Sequence, residues 1–289
     1  MHLQFHPTIE EFLHLCGPAL QDHEAQNGLM LGLVLREQER IREGTSSGEI
    51  LLISASDNGQ LLTAAIQTPP HNLVLSPMPA AMVQPFARLL HQKGISFPGI
   101  VGPESEVKAF AAMWEDLSGH PTRIEFAQMI YRLNAVHPIS VSSGEFRIAR
   151  IKELETVAKF FQDFSEVALP EREKAIRTLD IHREKAAKRI DKGEIFLWHD
   201  QGDIVSMAGI SAPTTNGVRI NAVYTPKELR GKGYASSNVA ALSQHQLDNG
   251  KQFCFLYTDA TNPTSNKIYQ HIGYEFIANS AMYSIREEK

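Results

Sequence analysis

Cysteine is nearly absent from this chain: among 289 residues only Cys16 and Cys254 occur, far apart in sequence. That scarcity excludes a disulfide-stapled scaffold, and both thiols are expected to be reduced core residues. Long apolar runs are missing as well. The longest, around GLMLGLVL, falls short of the ~20 residues that cross a bilayer. Basic charge is also short, with 28 Lys and Arg against 33 Asp and Glu and a formal net charge of −5. This balance argues against a nucleic-acid partner and offers nothing to a membrane surface. The histidines show no H-E-x-x-H spacing, so no metal site is expected. The opening MHLQFHPTIEEF has no basic segment leading into an apolar core, so a cytoplasmic location is the expectation.

What the chain does contain is globular. With 43% hydrophobic and 21% charged residues it can bury a core, and its length suits two ordinary domains. Its elements come in the same order twice. Helical stretches over 9–20 and 25–41 precede the strand-like runs EILLIS, LLTAAIQ and NLVLS. A helix over 80–92, the short run GIV, a helix over 105–117 and the run RIEFAQMIYRL follow. In the other half, helical stretches over 153–167 and 171–192 precede EIFLWH, IVSMAGI and RINAVY. Then come a helix, FCFLYT, a short helix from Pro263 and YEFIANSAMYSI. Such repetition reads as two copies of one fold, residues 1–135 and 145–289, joined by the Pro/Ser/Gly-rich AVHPISVSSG.

The sharpest chemical signal lies between Arg219 and Tyr274. The strand-like RINAVY leads through TPKELRGKGYAS onto a helix. A helix N-terminus presents unpaired N–H groups and positive dipole, which suits an anion. Gly231 and Gly233 let the backbone approach a phosphate, and Arg230 and Lys232 add charge. Walker spacing is absent, and Ser236 stands where a dinucleotide fingerprint needs its third glycine. The remaining reading is R-x-x-G-x-A, filled by Arg230, Gly233 and Ala235.

A second pattern follows the next strand-like run. Asn262, Ser265, Tyr269, Gly273 and Tyr274 fill N-x-x-[AS]-x-x-x-Y-x-x-x-G-[FY], with Ser265 for the usual alanine. In this order, the two patterns resemble those of the GNAT acetyltransferase superfamily, and the whole chain resembles tandem-GNAT bacterial acetyltransferases. The resemblance implies a mixed α/β fold of two GNAT-like domains, helices flanking a central, mostly antiparallel sheet. It implies acetyl-CoA as acyl donor, held by Asn221, Ala222, Val223, Arg230, Gly231, Lys232, Gly233, Tyr234, Ala235, Ser236, Asn262 and Ser265. It further implies an oxyanion contact from the Val223 backbone and Tyr269 as general acid.

In the first copy the loop position reads SPMPAAMV, with Pro77 and Pro79 and no glycine or basic residue. Proline has no N–H to give a phosphate, so this copy is expected to be degenerate. The implied reaction passes an acetyl group to a primary amine of a small molecule or peptide. A tandem GNAT using another acyl donor and a non-catalytic acyl-CoA sensor stay open. Asp259, Glu166 and His182 stay open as general base, as do monomer and homodimer. The basic run REKAAKR reads as a solvated helix face.

Overall fold

In a computed structural model, residues 2–46, 48–168 and 178–286 are described. The chain divides into two compact units, one of Met1–Ile130, Tyr257–Asn262 and Phe276–Lys289, the other of Tyr131–Leu256 and Pro263–Glu275.

The first unit opens with β1 (His2–Phe5), α1 (Ile9–Asp22) and α2 (Gly28–Arg42). Strands β2 (Leu51–Asp57), β3 (Gln60–Gln67) and β4 (Leu73–Leu75) follow. Then come α3 (Ala80–Gln92), β5 (Gly99–Pro103), α4 (Glu104–Ser118) and β6 (Thr122–Leu133), whose last three residues belong to the second unit. Its α1 begins where the Thr8 side chain accepts the Glu11 N–H at 3.2 Å, with Glu10 and Glu11 favouring the positive end. Ile9, Phe12, Cys16 and Leu20 recur at helical spacing and are all buried, joining Met30, Leu52 and Ile66 in one core. On the other face Phe86, Phe110 and Trp114 fill a second core against Ile53, Leu73 and Ile100.

The second unit repeats the plan with β7 (Glu145–Ile148), α5 (Leu154–Ala168), α6 (Leu179–Asp191), β8 (Ile195–Asp200) and β9 (Asp203–Ser211). It continues with β10 (Gly217–Tyr224), α7 (Tyr234–Asp248), β11 (Phe253–Asp259), whose last three residues belong to the first unit, and α8 (Pro263–Ile272). In each unit the first four strands form antiparallel neighbours: β1–β2–β3–β4 and β7–β8–β9–β10. In each, the fourth strand then pairs in parallel with the fifth, β4 with β5 and β10 with β11. The duplicated order read from the sequence is thus a duplicated topology, α/β with mostly antiparallel pairing.

Three differences from the sequence reading have physical causes. Strands β1 and β7 were not expected, because each is a four-residue edge strand whose residues are exposed or half-buried, without alternation. The second helix of the later half is described only as Leu179–Asp191, and 171–177 lie outside the described residues. The third concerns the last strand, β12 (Glu275–Ile285), whose residues from Phe276 onward belong to the first unit. The compact units are therefore not the contiguous blocks 1–135 and 145–289. Ser280 to Ser284 of β12 pair antiparallel with Pro103 to Gly99 of β5. Glycine in β5 permits this closeness, because a Cβ on Gly99 would sit 2.4 Å from the Tyr283 carbonyl oxygen. One on Gly102 would sit 2.6 Å from that of Leu75.

Burial raises the Cys16 thiol to about 11 and the Cys254 thiol to about 12, so both are inert core thiols. No described helix is long and apolar enough to cross a membrane. Removing residues 276–289 should strip amide-exchange protection from Gly99, Ile100 and Val101 while β8 and β9 stay protected. Hydrogen exchange with mass spectrometry reads both, and unchanged protection in β5 would contradict the pairing.

Candidate functional site

Strand β10 carries one residue too many. Asn221 lies opposite Gly209 and Tyr224 opposite Met207, so three steps on β10 face two on β9. The bulge is absorbed by Ala222, whose φ of 50° is left-handed, a conformation L-residues adopt at a cost of roughly 1–2 kcal/mol. On the other side the parallel ladder with β11 stops at Arg219 opposite Phe255. Ile220 to Tyr224 therefore run on without a β11 partner among the described residues. Backbone groups at Ala222 and Val223 are released from both ladders, and that is what a strand needs to bond a ligand.

The Asn221 side chain is already committed. Its Oδ1 accepts from Arg189 Nη2 at 3.0 Å and its Nδ2 donates to Ser211 Oγ at 2.5 Å, which fixes the strand just before the bulge. Arg189 was misread in the sequence. Its side chain is 11% exposed, bonds the Ile210 carbonyl at 2.7 Å, pairs with Glu194 and lies over the Phe161 ring. It stands beside the buried His182, Ala186 and Ile190 on α6, so its end of REKAAKR faces inward. Tyr224, just past the bulge, packs on Phe160 and donates to Asp163 Oδ2 at 3.3 Å. Burial, then the Asp163 carboxylate, pushes its phenol pKa up.

The loop then turns onto α7. Gly231 (φ 80°) and Gly233 (φ 81°) both hold left-handed backbone, and Gly233 is the residue from which α7 starts. No side chain caps that end, and the first helical bond runs from the Ser237 N–H to the Gly233 carbonyl at 3.0 Å. The N–H groups of Tyr234, Ala235 and Ser236 therefore have no helical acceptor. Arg230 bonds the Thr225 carbonyl through Nε at 3.0 Å, holding its guanidinium at the loop. Lys232 is exposed and makes no ion pair among the described residues. Two glycine turns, an uncapped helix end and two cations together form a cradle of the kind that suits an anion. Tyr234 contributes only backbone, because its buried ring sends its hydroxyl to Asp200 Oδ2 at 2.6 Å.

Helix α8 holds Tyr269 half-buried, its ring 5.9 Å from that of Tyr274 in edge-to-face contact. Its hydroxyl makes no hydrogen bond among the described residues, and burial pushes the phenol up to about 12. The rest of this pattern is architectural. Gly273 (φ 113°) ends the helix where a Cβ would meet the Ala135 carbonyl oxygen at 2.8 Å, and the Tyr274 hydroxyl bonds Ser243 of α7 at 2.7 Å. Ser265 is half-buried in the first turn of α8, and Asn262, the residue before Pro263, falls in the first unit. Of the possible bases, Asp259 Oδ1 is taken by the Thr261 N–H and hydroxyl at 2.8 and 2.7 Å. His182 is 1% exposed in the core, and Glu166 is exposed on α5.

In the first unit α3 starts from Pro79 with no side-chain cap. The nearby cavity there, lined by Met30, Val74, Val101, Ile130, Tyr257 and Ser280, includes none of the residues singled out from the sequence. An added Cβ on Gly233 would lie 2.7 Å from Ser142 Oγ. Gly233→Ala should therefore lower stability by about 1–2 kcal/mol. A melting temperature equal to wild type would contradict the left-handed turn.

Comparison with known proteins agrees with this geometry. A family model described as FR47-like protein matches residues 201–283, which spans the bulge, the loop and α8. No curated protein matches the sequence. A GNAT-family acetyltransferase from Colwellia psychrerythraea is 12% identical, with TM-score 0.55, covering 99% of this chain and 100% of its own. A Drosophila protein is also 12% identical, with TM-score 0.66 and 98% of each chain covered. A GCN5-related N-acetyltransferase from Sphaerobacter thermophilus is 14% identical, with TM-score 0.53, covering 85% of this chain and 84% of its own. At such identities the structures speak for the fold, and the family model speaks for the segment that carries the site. Residues 201–283 thus match the FR47-like family model, and the chain shares its fold with solved GNAT-family acetyltransferases.

Proposed function

We propose that the second unit binds acetyl-CoA and passes its acetyl group to a primary amine by direct attack. The observation that carries this reading is the bulge at Ala222, placed on the strand that leads directly into the anion cradle. A pyrophosphate on the N–H groups from Gly233 to Ser236 would leave the pantetheine arm to run along the released edge of β10. When bound, acetyl-CoA supplies a thioester carbonyl that the amine attacks.

The residues of the chain divide the remaining work. The Val223 N–H, freed by the bulge, would hold the carbonyl oxygen as charge develops on it. An ordinary alkylammonium with a pKa near 10.4 costs about 4–5 kcal/mol to deprotonate at neutral pH, so a base or a desolvated approach must offset that. Tyr269, with its phenol held near 12 by burial, stays protonated at neutral pH and is a constant donor. It would bond the departing sulfur, whose own basicity rises in the same desolvated setting. The first unit is proposed to bind no CoA, because Pro77 and Pro79 stand where the second unit has its glycine turns.

A thiol-release assay with acetyl-CoA against polyamines, amino acids and peptide amines tests the activity. CoA binding without thiol release from any amine would favour a sensor over an enzyme. Tyr269→Phe should keep the Kd for acetyl-CoA and lower kcat on the order of 10²–10⁴-fold. Wild-type turnover in a folded Phe variant would rule out the donor role.

A further inference from the structure

The linker segment Ser142–Gly144 is built into the anion loop. The Ser237 hydroxyl donates to Ser142 Oγ at 3.2 Å, and Ser142 Oγ donates to the Lys232 carbonyl at 2.8 Å. The Ser142 N–H donates back to Ser237 Oγ at 2.8 Å. Two hydroxyls and one amide thus form a short closed chain of bonds, each polarising the next. Beside it, the Ser143 carbonyl accepts from Trp198 Nε1 at 2.8 Å, and Ser143 Oγ donates to Asp200 Oδ2 at 3.0 Å. That is the same carboxylate oxygen that receives the Tyr234 hydroxyl. Gly144, with φ of 110°, lets the segment pass so close that a Cβ would fall 2.1 Å from the His199 carbonyl oxygen.

One of these bonds bears directly on the cradle. The peptide joining Lys232 to Gly233 is trans, so its N–H points opposite to its C=O. Fixing the carbonyl on Ser142 turns the Gly233 N–H away from the linker, toward the side left open. Without that anchor, the peptide plane can rotate by opposed changes in ψ of Lys232 and φ of Gly233, and Gly233, a left-handed glycine at φ 81°, resists such a change little. A rotated plane would present a carbonyl oxygen to an anion in place of an N–H.

We infer that Ser142 is a positioning residue for pyrophosphate binding, pinning the Lys232 carbonyl so that the Gly233 N–H faces the ligand. This role rests on the proposed CoA site and adds to it a residue from outside both sequence patterns. Since Ser142 holds the pyrophosphate end of the site, its loss acts on the diphosphate and spares the pantetheine arm.

The test compares Ser142→Ala and Ser142→Thr with wild type, using CoA and pantetheine as probes, the latter lacking the pyrophosphate. Calorimetry should show CoA Kd raised about tenfold, or ~1.4 kcal/mol, in the Ala variant and close to wild type in the Thr variant. Pantetheine binding, followed by NMR shifts, should be the same in all three. In the Ala variant the Gly233 amide resonance should broaden or exchange faster, whether or not ligand is present. Wild-type CoA affinity in Ser142→Ala overturns the role, as does an equal loss for CoA and pantetheine, which marks a merely structural residue. A wild-type protein that fails to bind CoA overturns the proposed function itself, and the Gly233 amide then decides the pinning separately.

Discussion

An extra residue in β10 is the constraint on which the site depends. Ala222 takes a left-handed conformation so that Asn221 and Tyr224 can both stay paired with β9. The cost is held down from both sides. Asn221 is clamped by Arg189 and Ser211, while Ala222 and Tyr224 pack into the core beneath α5 and α6. With the parallel ladder to β11 ending at Arg219, Ile220 to Tyr224 have no ladder on the β11 side among the described residues. Strain stored in a packed frame is an expected trait of a ligand site.

The cradle at α7 follows the same logic of withheld partners. A helix that began with a capping serine or aspartate would have spent its N-terminal N–H groups internally. Here the start falls on a left-handed glycine without a side-chain cap, so those donors remain for an anion. Tyr234 anchors the first turn through Asp200, and Ser237 anchors the second through Ser142. The loop is therefore firm on its inner side and available on its outer one. Exposed Lys232 and tethered Arg230 add charge, and neither makes an ion pair among the described residues.

The two turns were legible from residues alone: Gly231 and Gly233 both hold left-handed backbone, and left-handed turns restrict residue choice. Gly273 and Tyr274 were legible for the same kind of reason, the one ending α8 and the other locking it to Ser243. What stayed hidden depends on long-range pairing. Nothing in RINAVY shows that Ala222 would be left-handed, since a bulge is set by register with a partner strand. Arg189 looked solvated because charge runs usually are, and its burial appears only once α6 lies on the sheet. The strand β12 follows α8 in sequence, yet it pairs with β5, which local pattern cannot announce. Ser142 sat in a stretch that read as a spacer, and only its two bonds to the loop give it a role.

The most direct test of the account is amide chemical-shift mapping of the labelled protein during titration with CoA. The account predicts a single saturable site, with the largest changes at Ala222, Val223 and Tyr224 and from Gly231 to Ser236. It predicts no change at the corresponding first-unit residues from Leu73 to Val83. Shifts centred on that first-unit segment, or saturation that leaves Ala222 and Gly233 unmoved, would contradict it.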